Sequence, residues 1–345
     1  MNRISRLLGA IGVAACLAPH TAAAQAFGDV GTRAAGMGGA FVGIADDASA
    51  IYWNPGGLAA GSYFSLVVDR GTGEVVPDGS LSGGDSSSFL LGLAMPALGI
   101  SYYRLHSARV VPPPLLVPVD GDSSSRNLSA AAALRVDTLV THQGGFTFVQ
   151  SLYPGVSVGT TVKLVRGIAA SSAVVAETAA DALDSEAAEM LGKPTNRVDL
   201  DIGVMAAGGP LKAGLTVRNV REPHFEAAGL GGDLTLERQA RAGVSYAVST
   251  NWIAAADFDL LRTHDAFGAR RDIAVGVEGR LGARAVVRSG LAVNTVAASG
   301  AGDARRAVSV GGSYAARASI YVDGHFTAGN DRAGRQWGVA ARFVY

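Results

Sequence analysis

From about Tyr63 to Tyr345 apolar residues recur at every second position in fourteen short runs, and a period of two confines the chain to extended strands. In the last run Trp337, Val339, Ala341, Phe343 and Tyr345 share one face, while Gln336, Gly338, Ala340, Arg342 and Val344 share the other. Charge keeps to one side: Asp257 and Asp259 oppose Trp252, Ala254, Ala256, Phe258 and Leu260, and Asp199 and Asp201 oppose Val198, Leu200 and Ile202. The composition agrees, with 48% hydrophobic residues, 17% charged and 46 glycines in 345 residues, which suits a glycine-rich all-β chain.

Arg3 and Arg6 precede an apolar run from Leu7 to Leu17, then Pro19 and Ala22-Ala23-Ala24. This is the charged, apolar and small-residue order of an export signal, cleaved after Ala24. The only cysteine, Cys16, lies in that leader, so the mature chain carries no thiol into an oxidising compartment; the competing reading makes Val13-Ala14-Ala15-Cys16 a lipidation box. Without the two leader arginines, 27 basic residues stand against 29 acidic ones, and no basic footprint argues for nucleic acid. After the leader no apolar run has the length of a spanning helix, so a membrane form of this chain crosses with strands.

Alternation alone does not separate a soluble sandwich from a membrane barrel; the connections do. Those near Pro96, Tyr153-Pro154-Gly155, Gly208-Gly209-Pro210, Ser249-Thr250, Leu281-Gly282 and Ala315-Ala316-Arg317 are short. Those around 71–86, 107–136, 169–195, 222–236, 263–268, 294–304 and 328–334 are longer, and the two kinds alternate. This predicts a 14-stranded antiparallel up-and-down transmembrane β-barrel, with short periplasmic turns and longer external loops. Closure follows because hydrocarbon offers no partner to an unpaired strand edge. The apolar face then meets lipid, and Asp199, Asp201, Asp257, Asp259, Asp272 and Glu278 face Lys163, Arg218, Arg241, Arg280, Arg284 and Arg288 across the lumen.

Two loops stand out. The proline-rich run Val110 to Val119 excludes a regular element and offers Val110, Val111, Leu115, Leu116 and Val117 as an apolar patch, which either receives greasy molecules or folds over the rim. Glu177 to Leu191 places Ala180, Leu183, Ala187 and Met190 on one helical stripe and predicts a small helix capping the rim.

Residues 27–59 are too glycine-rich for one element, and a barrel of this size has a lumen to fill. Asn54 before Pro55 favours an extended or turn conformation, the glycines after them make a sharp reversal cheap, and Asp46 and Asp47 are suited to cap amides or meet basic lumen residues. The order and spacing of Gly36-Met37-Gly38-Gly39-Ala40-Phe41-Val42, Ala45-Asp46-Asp47-Ala48 and Asn54-Pro55-Gly56-Gly57-Leu58 resemble the N-terminal hatch of FadL-type long-chain fatty acid and hydrocarbon transporters, and of the related PorV-like and TraF-like outer-membrane proteins. The stretches Arg218 to Phe225 and Leu236 to Gly243 look most like the PorV-like and TraF-like branch. Where that family has Asn-Pro-Ala this chain has Asn54-Pro55-Gly56, which loosens the bend.

The resemblance implies three parts: an export signal over 1–24, a plug over 25–61 and a barrel over 62–345. It implies plug and gating roles for Gly36, Gly38, Gly39, Phe41, Asp46, Asp47, Asn54, Pro55 and Gly56. It also implies a passive outer-membrane channel of a Gram-negative-type cell for fatty acids or hydrocarbons, with cargo leaving through a side opening or past a shifted hatch. The alternative is an envelope scaffold that docks a protein partner in secretion or conjugation. Outer-membrane lipid, a hydrophobic ligand and the barrel-assembly machinery, acting on the C-terminal strand, are the expected partners. No enzymatic role is expected, because no nucleophile motif accompanies Asp323 to His325 or His264 with Asp265, and no metal or other cofactor is expected, with neither a cysteine pair nor His-x-x-x-His present.

Overall fold

The computed structural model describes residues 22–23, 30–76, 79–112, 132–184, 192–230, 232–265, 268–296, 305–330 and 334–345. Fourteen antiparallel strands carry the alternating runs: β1 Ser65–Val75, β2 Gly83–Met95, β3 Leu98–Val111, β4 Ala132–Tyr153, β5 Val156–Ala176, β6 Thr195–Gly208 and β7 Leu211–Arg218, followed by β8 Gln239–Ala247, β9 Trp252–Asp259, β10 Asp272–Leu281, β11 Ala285–Asn294, β12 Arg306–Arg317, β13 Ile320–Gly329 and β14 Arg335–Val344. Each pairs with its sequence neighbours, and β1 closes on β14 from Ser65 opposite Val344 to Glu74 opposite Arg335. The result is a closed up-and-down barrel with no unpaired edge strand.

The expected faces are present. On β3 Leu98, Ile100 and Tyr102 are exposed while Gly99, Ser101 and Tyr103 are buried. β8 to β11, β13 and β14 run 8 to 10 residues, close to what a tilted strand needs to cross a bilayer. Tyr63, Tyr153, Tyr246, Trp252, Tyr314 and Tyr345 stand exposed toward the end that carries the short turns, where an aromatic girdle belongs. No helix among the described residues is long and apolar enough to cross a membrane.

The wall is uneven. β4 and β5 reach 22 and 21 residues, and their ladder continues out to Ala132 opposite Ala176, whereas β7 has 8 residues. Several boundaries therefore differ from the sequence reading. The predicted loops around 107–136 and 169–195 are shorter than expected because pairing persists into them. Val110 and Val111 end β3 instead of lying in a loop, and Val110 is fully buried against Leu134, Val136 and the helix α1, Ala179–Leu183. Leu115, Leu116 and Val117 lie outside the described residues. Thr178 and Asp181 form a capping box on α1, whose buried residues are Ala179 and Ala182, one step off the predicted stripe; Ala187 and Met190 lie outside the described residues. The turn expected at 315–317 falls at Ala318 and Ser319, because a register shift between Ala315 and Arg317 lengthens β12.

After β7 the chain leaves the wall through Asn219 at φ 53° and Glu222 at φ 49°. It carries Phe225 into the loop end of the lumen, where Phe225 packs with Leu139, Val165, Ala169, Ala227, Leu234 and Leu236. Below Arg218, neighbouring strands are bonded along their shared lengths, interrupted only by bulges, so the side opening implied by the resemblance is absent from that part of the wall.

Candidate functional site

Residues 30–61 lie inside the ring of strands, and most are buried. They form two short helical turns, Thr32–Ala35 and Ala50–Trp53, then a 3-10 turn over Pro55–Ala60. Asn54, in extended conformation, starts that turn: its Oδ1 accepts from Gly56 N at 3.2 Å. Its Nδ2 donates to Val42 O and to Val204 O on β6, both at 3.0 Å. One side chain thus joins the segment to itself and to the wall.

Small residues permit that contact. A Cβ on Gly56 would come within 2.8 Å of Gly203 O, so the glycine that replaces the family's alanine is seated against β6 rather than loosening the bend. Gly38, at φ 67°, sits where a Cβ would meet Leu291 N at 2.9 Å, and a Cβ on Gly290 would meet the Met37 carbonyl carbon at 2.1 Å. Backbone rests on backbone with no room for a ligand between them.

Charge supplies the ties. Arg33 Nη1 reaches Asp46 at 2.6 Å and Asp47 at 3.0 Å, and its other nitrogens form a fork on Glu278 of β10 at 2.9 Å. Arg288 on β11 holds Glu278 at 2.6 Å and lies 3.6 Å from Asp323 of β13. Arg342 on β14 joins Asp323 at 3.1 Å to Asp47 at 3.4 Å. Asp47 also accepts from the backbone and hydroxyl of Ser49. Burial alone would raise the Asp47 pKa, but Arg33 and then Arg342 hold it below the ordinary carboxylate value.

Further strands contribute single ties. Asp257 on β9 accepts from Phe41 N and Val42 N, both at 2.8 Å, and Asp69 on β1 accepts from Thr32 N at 2.6 Å. Ser245 on β8 donates to Gly43 O at 2.8 Å, and Arg241 beside it bonds Gly39 O at 3.2 Å and Asp259 at 2.6 Å. Phe41, Tyr52 and Trp53 form an aromatic centre; Phe41 and Tyr52 each stand edge-on to Trp53, and Tyr52 also meets Tyr103 of β3. Arg218 lies 3.4 Å over the Tyr52 ring, and Lys163 bridges Asp199 at 3.2 Å and Asp201 at 2.8 Å, all with fully buried side chains.

Alternation thus found Glu278, Asp257, Asp259, Arg241, Arg288 and the Lys163 cluster, and the structure brings Asp46, Asp47, Phe41 and Asn54 against the inner wall. Arg280 and Arg284 are corrections: both are exposed at the turn end, Arg284 in the turn before β11, because their positions fall beyond the lumen. Arg33 was missed, and so were the pairings of Asp323 and Arg342; their inward parity was visible, but the partner across the barrel was not. His264 bonds Glu237 in a loop, and His325 faces the lumen. Among the described residues no cluster of His, Cys, Asp or Glu is placed to hold a metal.

The fold is that of solved hydrophobic-compound channels. The CymD monoaromatic hydrocarbon channel superposes with a TM-score of 0.63 at 13% identity, covering 92% of this chain and 97% of that one. For the Ralstonia pickettii toluene transporter TbuX the score is 0.57 at 12% identity, over 92% and 99%. For a Pseudomonas aeruginosa FadL homologue it is 0.59 at 11% identity, over 95% and 100%. At identities this low the superpositions establish the FadL-type barrel fold and nothing beyond the fold. Residues 102–259, which span most of β3 through β9, match a family model described as F plasmid transfer operon, TraF, protein. No curated protein matches the sequence.

Proposed function

We propose that this chain is a passive outer-membrane channel for hydrophobic small molecules, exported by a cleaved signal and oriented with its short turns in the periplasm. The observation that carries the reading is the layering of the lumen. An apolar cluster around Phe225 lies at the loop end, and beneath it a separate N-terminal segment is held to the wall by hydrogen bonds and ion pairs. A greasy molecule would displace the apolar cluster, since the two are chemically interchangeable, and would pass only when the ties of the hatch exchange for water. Arg33, Asp47 and Asn54 are then the residues that hold the gate, and Gly38 and Gly56 set how closely it seats. The folds of the hydrocarbon channels support a cargo of this class, and the continuous wall below Arg218 favours an exit past the hatch. The reading assigns no enzymatic role.

Deleting residues 27–59 tests it in cells grown on long-chain fatty acids or alkanes. Altered uptake with the barrel still folded is the expected outcome, and uptake and ligand binding identical to the intact protein would overturn the reading.

The second reading, a docking barrel for an envelope protein, draws on the TraF-type match over residues 102–259. A stoichiometric protein captured from intact envelopes would favour it, and co-purifying lipid or hydrocarbon without such a partner would favour the channel.

A further inference from the structure

On the outer face of β3 to β5 a basic row interrupts the apolar positions, which resume beyond it at Val140 and Ile168. Along β3 the exposed residues Leu98, Ile100 and Tyr102 are followed by Arg104, and along β5 Val162 and Leu164 are followed by Arg166. Between them, on β4, Phe146 and Phe148 are exposed, their rings 4.7 Å apart, and the same face carries His142 beyond Gly144. Register places these three in one line, with Arg104 opposite His142 and His142 opposite Arg166. Arg70 on β1 continues the line through Phe89.

Both guanidiniums are exposed, and neither Arg104 nor Arg166 has an ion-pair partner among the described residues. The nearby acids are engaged elsewhere or lie beyond the row: Asp137 is bound by Arg109 and Arg135, while Glu74 and Asp85 sit further toward the loop end. Tyr102 and His142 share a hydrogen bond of 2.8 Å, which fixes the ring between the two arginines. The arginines stand two strands apart, about 10 Å between backbones.

We propose that this row is a binding site for the phosphate groups of an anionic lipid in the leaflet on the loop side. Three features of the surface argue for that occupant. Unpaired arginines facing outward on an apolar wall are costly in hydrocarbon and favourable beside an anion, so their location calls for headgroups of opposite sign. Guanidinium presents a planar fork that matches phosphate oxygens, and the exposed aromatic and aliphatic side chains below it fit acyl chains on the same molecule. Free phosphate would use the arginines and leave that apolar surface unused, so the lipid-borne group is the source to which we commit. The site is independent of any cargo in the lumen and rests only on the barrel standing in a membrane.

The test uses the full barrel in neutral detergent, offered lipid A carrying two phosphates, the same lipid with its phosphates removed, or inorganic phosphate alone, with bound lipid read by native mass spectrometry. The expected result is a retained bisphosphorylated adduct, at least ten-fold weaker retention in Arg104→Gln/Arg166→Gln, and little retention of either other probe. Equal retention of the dephosphorylated lipid, or an adduct unchanged in the double variant, would overturn the proposal. Heat-modifiable gel migration reports whether the variant has closed its barrel. If it has not, Arg104→Lys/Arg166→Lys serves instead: it keeps the charge and loses the fork, and its expected retention lies between wild type and the glutamine pair, while retention equal to wild type counts against the site.

Discussion

Toward the turn end the lumen holds a segment whose apolar residues pack on Leu90, Tyr103 and Met205 of the wall and which is pinned there by charge, with Arg33, Arg288 and Arg342 interleaved among Asp47, Glu278 and Asp323; toward the loop end the lumen is filled by Phe225, Leu234, Leu236 and the inner faces of β4 and β5. The two layers respond to different perturbations. A charge network is directional and depends on every member, since one removed partner strands the others in a dry interior. An apolar layer has no such memory of its partners and accepts any surface of similar shape. A gate and a receiving surface need these respective properties.

The largest effect is expected from Arg33→Ala, which leaves Asp46, Asp47 and Glu278 without their shared cation. A loss of about 3 to 5 kcal/mol is expected in the hold on residues 30–61. Hydrogen exchange across that segment and single-channel conductance in planar bilayers would report it, and unchanged exchange would show that the charge layer is not what holds the hatch. Phe225→Ala sharpens the other side of the comparison. A local cost of about 3 kcal/mol is expected, at the lower end for a buried phenylalanine because the 219–238 loop can relax. Exchange should rise in that loop while residues 30–61 keep their protection; loss of protection in both would mean the layers are one unit.

The smallest effect is that of acid. Asp47 titrates below its unfolded value, so its contribution to the hatch is fully present above roughly pH 4 and disappears as the pH falls through the depressed native value. Loss of the Asp47 tie should therefore show as conductance steps that grow in acid stronger than about pH 4. Opening between pH 7 and pH 5 would assign the latch to a different group.

The barrel was legible because lipid and lumen impose opposite demands on alternate residues, so parity along a strand reports its surroundings directly. Short turns were legible from Pro96, Pro154-Gly155 and Gly209-Pro210, where backbone chemistry forces reversal. The length of β4 and β5 was not, because their extensions are covered on both sides, by Phe225 within and by α1 without, and residues covered on both faces do not alternate. The latch was half legible: Glu278 and Arg288 read as inward charges on their strands, but Arg33 sits in a segment with no period, and nothing local marks a residue whose partners lie 245 and 14 positions away. Gly56 was misread as slack because the reason for it, Gly203 O on a distant strand, is a contact in space.

The seam between β1 and β14 constrains how the molecule is made. Tyr345, the final residue, exchanges backbone hydrogen bonds with Phe64, and Ser65 begins β1 only a few residues after the interior segment ends. The cylinder can be sealed only after β14 has been made, because the seam is its pairing with β1. Glycine-tight contacts such as Met37 on Gly290 fit the amino-terminal stretch to the inner face of that closed ring. The filler of the ring and its seam thus adjoin in the chain, so closing the cylinder also anchors the root of the interior segment beside the terminal strand.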